Sequence, residues 1–358
     1  MTKARKFYLE NSQILFAINL GGDVFEAIVP TCVICLMKVQ QNDYVIPVAD
    51  LRKAALEDLP KLLITENFPK TTNRNILSAP NAIFSFDAAI SELVNRLASS
   101  YESFETFCDD VANGISTGCD EIYIISEQVA KENHFEMEYL KECIRGGQFN
   151  RFYCPPHTHE YVLYITDEFD SRQVKNIYQY LSKNKELLIQ KSVEKKQGKR
   201  DWHVLFRGRY EGLFIKPKIL FRQTGDRIIA AIDRKAGFYC IDSVNIGLVK
   251  RGFHELLEYF IGLLNSKLMI FYYQQISQEK GRILAQVKPQ RIRLLPINMG
   301  TPQQREQITK LVDCIIAAKR ENSVANTLEL ENKIDQLVYK LYGLTEEERK
   351  IVEDTGRQ

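Results

Sequence analysis

Residues 194–233 read EKKQGKRDWHVLFRGRYEGLFIKPKILFRQTGDRIIAAID, and the reading of the chain works outward from them. Between Lys195 and Arg222 nine Lys or Arg residues stand against two acids, whereas the whole chain carries a net charge of only +2. The positive charge is therefore local, as on a surface that meets an anion. Short apolar runs at Val204–Phe206, Leu213–Ile215, Ile219–Phe221 and Ile228–Ile232 alternate with the charges, and Gly208, Gly212 and Gly225 punctuate them. That alternation predicts a small sheet with a basic face. Trp202, the only tryptophan, lies among the cations with Phe206 and Tyr210. A solvated charge run followed by edge strands that use Lys and Arg against edge pairing fits the same residues.

At 358 residues and 45% hydrophobic content, the chain can bury two or three cores. No apolar run approaches the roughly 18 residues that cross a bilayer. The N-terminal TKARKFYLENSQ lacks the hydrophobic region of a signal peptide, so a cytoplasmic protein without a membrane partner is expected. Eight scattered cysteines suit reduced thiols better than a disulfide framework.

From the N-terminus, a helix ending near Asn11 and strands Ile14–Asn19 and Cys32–Val39 are too little to fold alone. A helix over Asp50–Ile64 precedes the connector NFPKTTNRNILSAPN, and amphipathic helices follow at Ser85–Leu97 and Ser103–Val111. Gly114–Gly118 reads as a tight turn or as a phosphate-cradling one, leading into a strand over Glu121–Ser126. Helices are expected over His134–Arg145, Asp170–Ile189 and Phe253–Met269, with extended pieces at Gly237–Asp242 and Arg291–Ile297. Cys154, His157 and His159 cluster around two prolines, the spacing of a rigid loop more than of a zinc site. Cys32-x-x-Cys35 lies on a strand, where residues three apart point to opposite faces.

The C-terminus is explicit. Thr301-Pro302-Gln303-Gln304 is a capping-box start with proline at the first helical position. Ile308, Leu311, Val312, Ile315 and Ile316 make one apolar stripe, and Leu330, Ile334, Leu337, Val338 and Leu341 make a second, closed by Gly343. Two such stripes predict an antiparallel helical hairpin. No Walker loop, GxGxxG, GxSxG, HExxH or strong zinc spacing occurs, so the residues describe a binder rather than a catalyst.

Taken together, NGISTGCDEIYII, IRGGQFNRF, YLSKNKELLIQK, DWHVLFRGR, FIKPKILFRQTGDRIIAAIDRKAGFYCID, FIGLLNSKL, RLLPI, TPQQREQITKLVDCIIAAK and IDQLVYKLYGLTEEE resemble, in order, the C-terminal specificity region of type IIG restriction-modification enzymes and TaqI-type N6-adenine DNA methyltransferases. The likeness runs over roughly residues 105–353, and ILFAINLGGDVFEAIVPTCVICLMKV is similar to the last strand pair of the adjoining methyltransferase domain. The resemblance implies an α+β fold: a mixed-sheet target-recognition domain over 84–300, the helical hairpin at 301–358, a helical connector at 43–83 and a remnant of a methyltransferase sheet at 1–42. It implies sequence-specific recognition of double-stranded DNA, in partnership with a methyltransferase domain, joined covalently or not. The family's S-adenosylmethionine glycine motif and its Asn-Pro-Pro-Tyr/Phe motif do not occur here. S-adenosylmethionine and magnesium are accordingly expected of the parent enzyme and not of this chain, which alone is expected neither to methylate nor to cleave. Expected DNA contacts are Lys196, Lys199, Arg200, Arg207, Arg209, Lys216, Lys218, Arg222 and Arg282. A free-standing specificity subunit and a non-catalytic phage-defence interaction module are the alternative expectations.

Overall fold

The computed structural model describes residues 2–21, 24–25, 31–39, 41–52, 54, 56–58, 60–62, 68–78, 87–167, 174–235, 237–277, 279–280 and 284–356. Two compact units result: Met1–Glu102 with Thr345–Asp354, and Ser103–Leu344 with the last few residues.

In the first unit the helix Thr2–Asn11 leads into strands β1 (Gln13–Gly21), β2 (Thr31–Met37), β3 (Val45–Asp50) and β4 (Lys70–Thr72), ordered β2-β1-β3-β4. β1 runs antiparallel to β2 and parallel to β3. Leu9, Ile14, Ala17, Tyr44, Ile46, Val48 and Ile76 form the core beneath β1 and β3. The Tyr44 hydroxyl donates to the Ser12 carbonyl at 3.0 Å, and the Asn73 amide joins Tyr44 N and Asn42 O, so the polar groups beside this core are satisfied. β2 is different, for none of its seven residues is buried. The helix expected over Asp50–Ile64 is not what forms at its start. Asp50 ends β3, whose β-branched residues pair on both sides, and Leu56–Asp58 is a single 3-10 turn; residues 53, 55, 59, 63 and 64 lie outside those described. Asp87 caps the helix Ala88–Ser100 by accepting from Ala89 N and Ile90 N, and Arg96 of that helix grips Glu348 of the helix Glu346–Gly356 at 2.7 Å.

The two-residue strand β5 (Glu102–Ser103) lies where the chain passes from the first unit to the second, and the second unit holds two four-stranded sheets besides the two-residue strand β14 (Pro296–Ile297). β6 (Cys108–Asn113), β10 (Lys218–Arg222), β11 (Ala230–Asp233) and β13 (Val244–Val249) form an antiparallel sheet ordered β11-β10-β13-β6. β7 (Ile124–Ser126), β8 (Leu140–Ile144), β9 (Glu160–Leu163) and β12 (Tyr239–Cys240) form the other, ordered β12-β8-β9-β7, with β12 parallel to β8. All six residues of β13 are buried. The helices Leu257–Leu264 and Lys267–Ser277 are buried along most of their length, and they part at Asn265-Ser266. Asn265 is fully buried there, and its side-chain amide pairs with both Ala230 N and Ala230 O at 2.9 Å, as a neighbouring strand would.

Two further expected helices and three expected extended stretches are corrected. Phe104–Phe107 is a 3-10 turn and Cys108–Asn113 a strand, where a helix over Ser103–Val111 is expected. Within His134–Arg145, Leu140–Ile144 is strand β8, because β9 and β12 pair with it from both sides and override the helix-like spacing of Leu140 and Ile144. Val204–Phe206 and Leu213–Ile215 join no ladder; Val204, Leu205 and Leu213 instead anchor a loop into the core. Arg291–Ile297 is extended only at β14, since Pro289–Ile292 is a helical turn. The C-terminal hairpin forms as read: Thr301 accepts from Gln304 N, the Gln304 side chain accepts from Thr301 N, and Pro302–Glu321 packs against Leu328–Leu341. Ile308, Val312, Ile315, Ile334 and Val338 carry its core, while Leu311 and Leu337 stay half-buried along a shallow groove.

Candidate nucleic-acid interface

The basic segment starts at the one-turn helix Val193–Lys196, whose N-terminus the Ser192 hydroxyl caps. Lys196, Lys199, Arg207 and Lys216 are exposed. Arg200 is half-buried, held by Glu194 at 3.2 Å and by the Leu205 carbonyl at 3.3 Å, so much of its guanidinium locks the loop. Trp202 packs at 5.6 Å from Tyr178, with Lys185 Nζ 5.3 Å from its ring centre.

Arg207 then meets the Gly114–Gly118 turn. Ser116 N donates to Arg207 O, and Arg207 N returns a bond to Ser116 O at 2.8 Å. Gly114 N is taken by Val244 O and Ile115 N by Cys240 O. These three amides are spent inside the protein, so the turn has little left with which to cradle a phosphate. Its glycine is needed for another reason: a Cβ on Gly114 would collide with the Cys240 and Ile241 carbonyl oxygens.

Arg209 is the unusual residue. Its φ is +63°, in the left-handed region that costs a side-chain-bearing residue energy. Three contacts hold it there: the ladder at Arg207, a hydrogen bond from the Tyr164 hydroxyl to Arg209 O at 2.8 Å, and one from Arg209 Nε to Gly114 O at 3.1 Å. The guanidinium is half-buried, yet among the described residues no carboxylate lies within 4 Å and neither terminal nitrogen has a partner. Burial first, and the Arg207 charge second, hold its pKa below the usual arginine range; Asp110 and Asp242 act against this only from a distance. The arrangement is a cation fixed by its Nε edge with its outer edge open, suited to a phosphate or a base edge.

One expected contact is corrected, and a second is already engaged within the protein. Lys218 is 0% exposed, pairs with Asp233 at 2.5 Å and donates to Phe214 O, so it cannot reach a ligand. The pair sits in register across the hairpin of β10 and β11, and Asp233 also accepts from Gly237 N and Phe238 N. Arg222 braces the turn over 146–150, donating to Gly146 O at 2.7 Å, to Phe149 O and to Asn150 Oδ1. Arg282 lies outside the described residues. Cys154 packs toward the buried Lys218–Asp233 pair, whereas His157 and His159 are exposed and lie beside Glu142 and Glu127 respectively. Among the described residues no group of three or more His, Cys, Asp or Glu is arranged to hold a metal ion. Sequence reading missed Tyr164, Tyr123 and Lys195, which support the segment from below; only side-chain contacts between segments remote in sequence reveal them.

Residues 141–297 match the TaqI-like C-terminal specificity domain. The fold is similar to that of the type IIL restriction-modification enzyme MmeI, solved in complex with DNA, at 13% identity and a TM-score of 0.52 over 94% of this chain and 44% of that one. The type IIG restriction endonuclease BpuSI matches at 12% identity and a TM-score of 0.41, over 96% of this chain and 45% of its own. The chain thus spans less than half the length of either enzyme. Among the described residues no helix is long and apolar enough to cross a membrane.

Proposed function

We propose that this chain is the DNA target-recognition part of a restriction-modification enzyme, reading a short duplex sequence while an associated methyltransferase domain acts on the adenine. The specificity-domain match supports DNA recognition in restriction-modification, and Arg209 is the observation that carries the reading to residues. An unpaired, half-buried arginine in a strained backbone is costly to hold, and its open edge offers the two parallel donors that phosphate or guanine accepts. Lys196, Lys199, Arg200, Arg207 and Lys216, on the same basic segment, are assigned as phosphate contacts that set register.

The methyltransferase partner is assigned to β2, whose Cys32, Val33, Ile34, Leu36 and Met37 are exposed on both faces at the edge of a sheet. S-adenosylmethionine and magnesium belong to that partner in this reading. The sequence lacks the glycine and Asn-Pro-Pro-Tyr/Phe motifs that would hold cofactor and flipped adenine.

Fluorescence anisotropy with duplex DNA tests the proposal. Two to five phosphate contacts give a slope of log affinity against log salt of about −2 to −4.5, and replacing Arg207 and Arg209 by Ala flattens it by up to about two units. No duplex binding at about 50 mM salt would overturn the reading.

A further inference from the structure

Beneath the basic segment lies a lysine that no acid neutralises. Lys195 is 6% exposed, and its Nζ donates to the Tyr123 hydroxyl at 3.2 Å and lies 5.4 Å from the centre of that ring. Among the described residues no carboxylate comes within 4 Å of it. The Tyr123 hydroxyl in turn donates to His203 O at 3.0 Å and Val204 O at 3.1 Å. One tyrosine therefore ties down both ends of the stretch that carries Lys196, Lys199 and Arg200. The ionisable groups facing Lys195 are Arg200 and His203 on the loop, and Cys119 and Tyr123 on the short helix below.

We propose that Lys195 and Tyr123 are positioning residues of the DNA-contacting segment, and that the Lys195 ammonium couples DNA binding to proton uptake. The inference rests on the DNA-recognition reading above. Burial, and after it the charge of Arg200, push Lys195 down to about 8. A phosphate bound at Arg200 offsets that repulsion and favours the ammonium, so the complex keeps its proton to a higher pH than the free chain. Below about pH 7.5 both states are charged and affinity is flat; through pH 8 to 9 binding requires a proton and weakens.

The test is duplex-DNA affinity at fixed ionic strength from pH 7 to 9 for wild type, Lys195→Met, Lys195→Gln and Tyr123→Phe, with thermal unfolding run beside it. Calorimetric titration of wild type at pH 8 in two buffers of different ionisation enthalpy reads the proton directly. Wild-type affinity is expected to fall about 2.5- to 5-fold across this range, for a pKa displacement of about half to one unit, and the two Lys195 variants to be flat. Tyr123→Phe, which keeps the ring but frees both carbonyls, is expected to bind more weakly at every pH. Wild-type binding with no pH dependence and no proton uptake, or an unchanged profile in folded Lys195 variants, overturns the coupling alone. Absence of duplex binding at pH 7 overturns the DNA reading and this proposal with it.

Discussion

Strands β13 and β2 are both short and apolar, yet β13 is buried at every position and β2 at none. β13 lies between β10 and β6, and its Ile246 and Leu248 belong to the main core of the second unit. β2 has β1 on one side and, among the described residues, no strand on the other. Apolar side chains state that cover is required; the supplier of that cover is settled elsewhere, and for β2 it does not come from the sheet it belongs to.

The largest expected effect tests this contrast directly. Ile246→Asp puts an unpaired charge into a full core and is expected to cost more than about 4 kcal/mol, enough to unfold the unit, whereas Ile34→Asp on β2 changes stability by less than about 1 kcal/mol and improves solubility. Denaturant melts of the two variants decide it. Equal destabilisation would mean that β2 is covered after all.

Covered regions differ among themselves as well. Lys218→Ala strands Asp233 in the core and is expected to cost about 3–5 kcal/mol, because a buried charge is left without its partner. Lys195, by contrast, has no carboxylate to strand. Its folded pKa, about 8, is depressed below the ordinary lysine value, so between these two values the unfolded chain binds more protons and stability rises with pH. Lys195→Met is therefore expected to melt higher than wild type at pH 7, by a margin that shrinks as pH climbs from about 8 to about 10.5. Burial raises the thiols of Cys108, Cys119, Cys143, Cys154 and Cys240, whose contribution is lost as pH rises past the ordinary thiol value. They pull the other way in both proteins, so the difference in melting temperature isolates Lys195. A margin independent of pH would show that its proton is not what burial penalises.

The smallest effect is local. Thr301→Ala removes one half of a capping box and is expected to cost about 1 kcal/mol, read as a small drop in the melting midpoint with unchanged helix content.

That last position also marks what a sequence discloses. Every partner of the Thr301 cap lies within three residues, so the hairpin could be read from its own letters. Strand β8 could not, because Leu140, Cys143 and Ile144 suit a helix face equally well and its partners come from Glu160–Leu163 and Tyr239–Cys240. The same holds at the site. The clustering of charge picks out Arg207 and Arg209, but not that Lys218 meets Asp233 across a hairpin. Nor does it separate Lys195 from Lys196, adjacent residues on one helical turn, one buried and one exposed. The strain at Arg209 had no local signal either, since it arises from Tyr164 and Gly114.

Asn265 carries a consequence for how this protein ages. An Asn-Ser pair in a mobile chain is a thermolabile spot, where the amide nitrogen can be lost to give an acid. In the fold the position is sealed: the side chain is buried, both of its polar atoms are held by Ala230, and Arg151 donates to its carbonyl at 2.6 Å. Once converted, it would turn a second oxygen toward the Ala230 carbonyl where a donor is needed, and bury a charge besides. Damage at this position is therefore expected mainly during excursions to the open chain, and refolding of a damaged molecule is expected to be impaired. At this position, chemical ageing is expected to follow how often the chain opens rather than how stable it is on average.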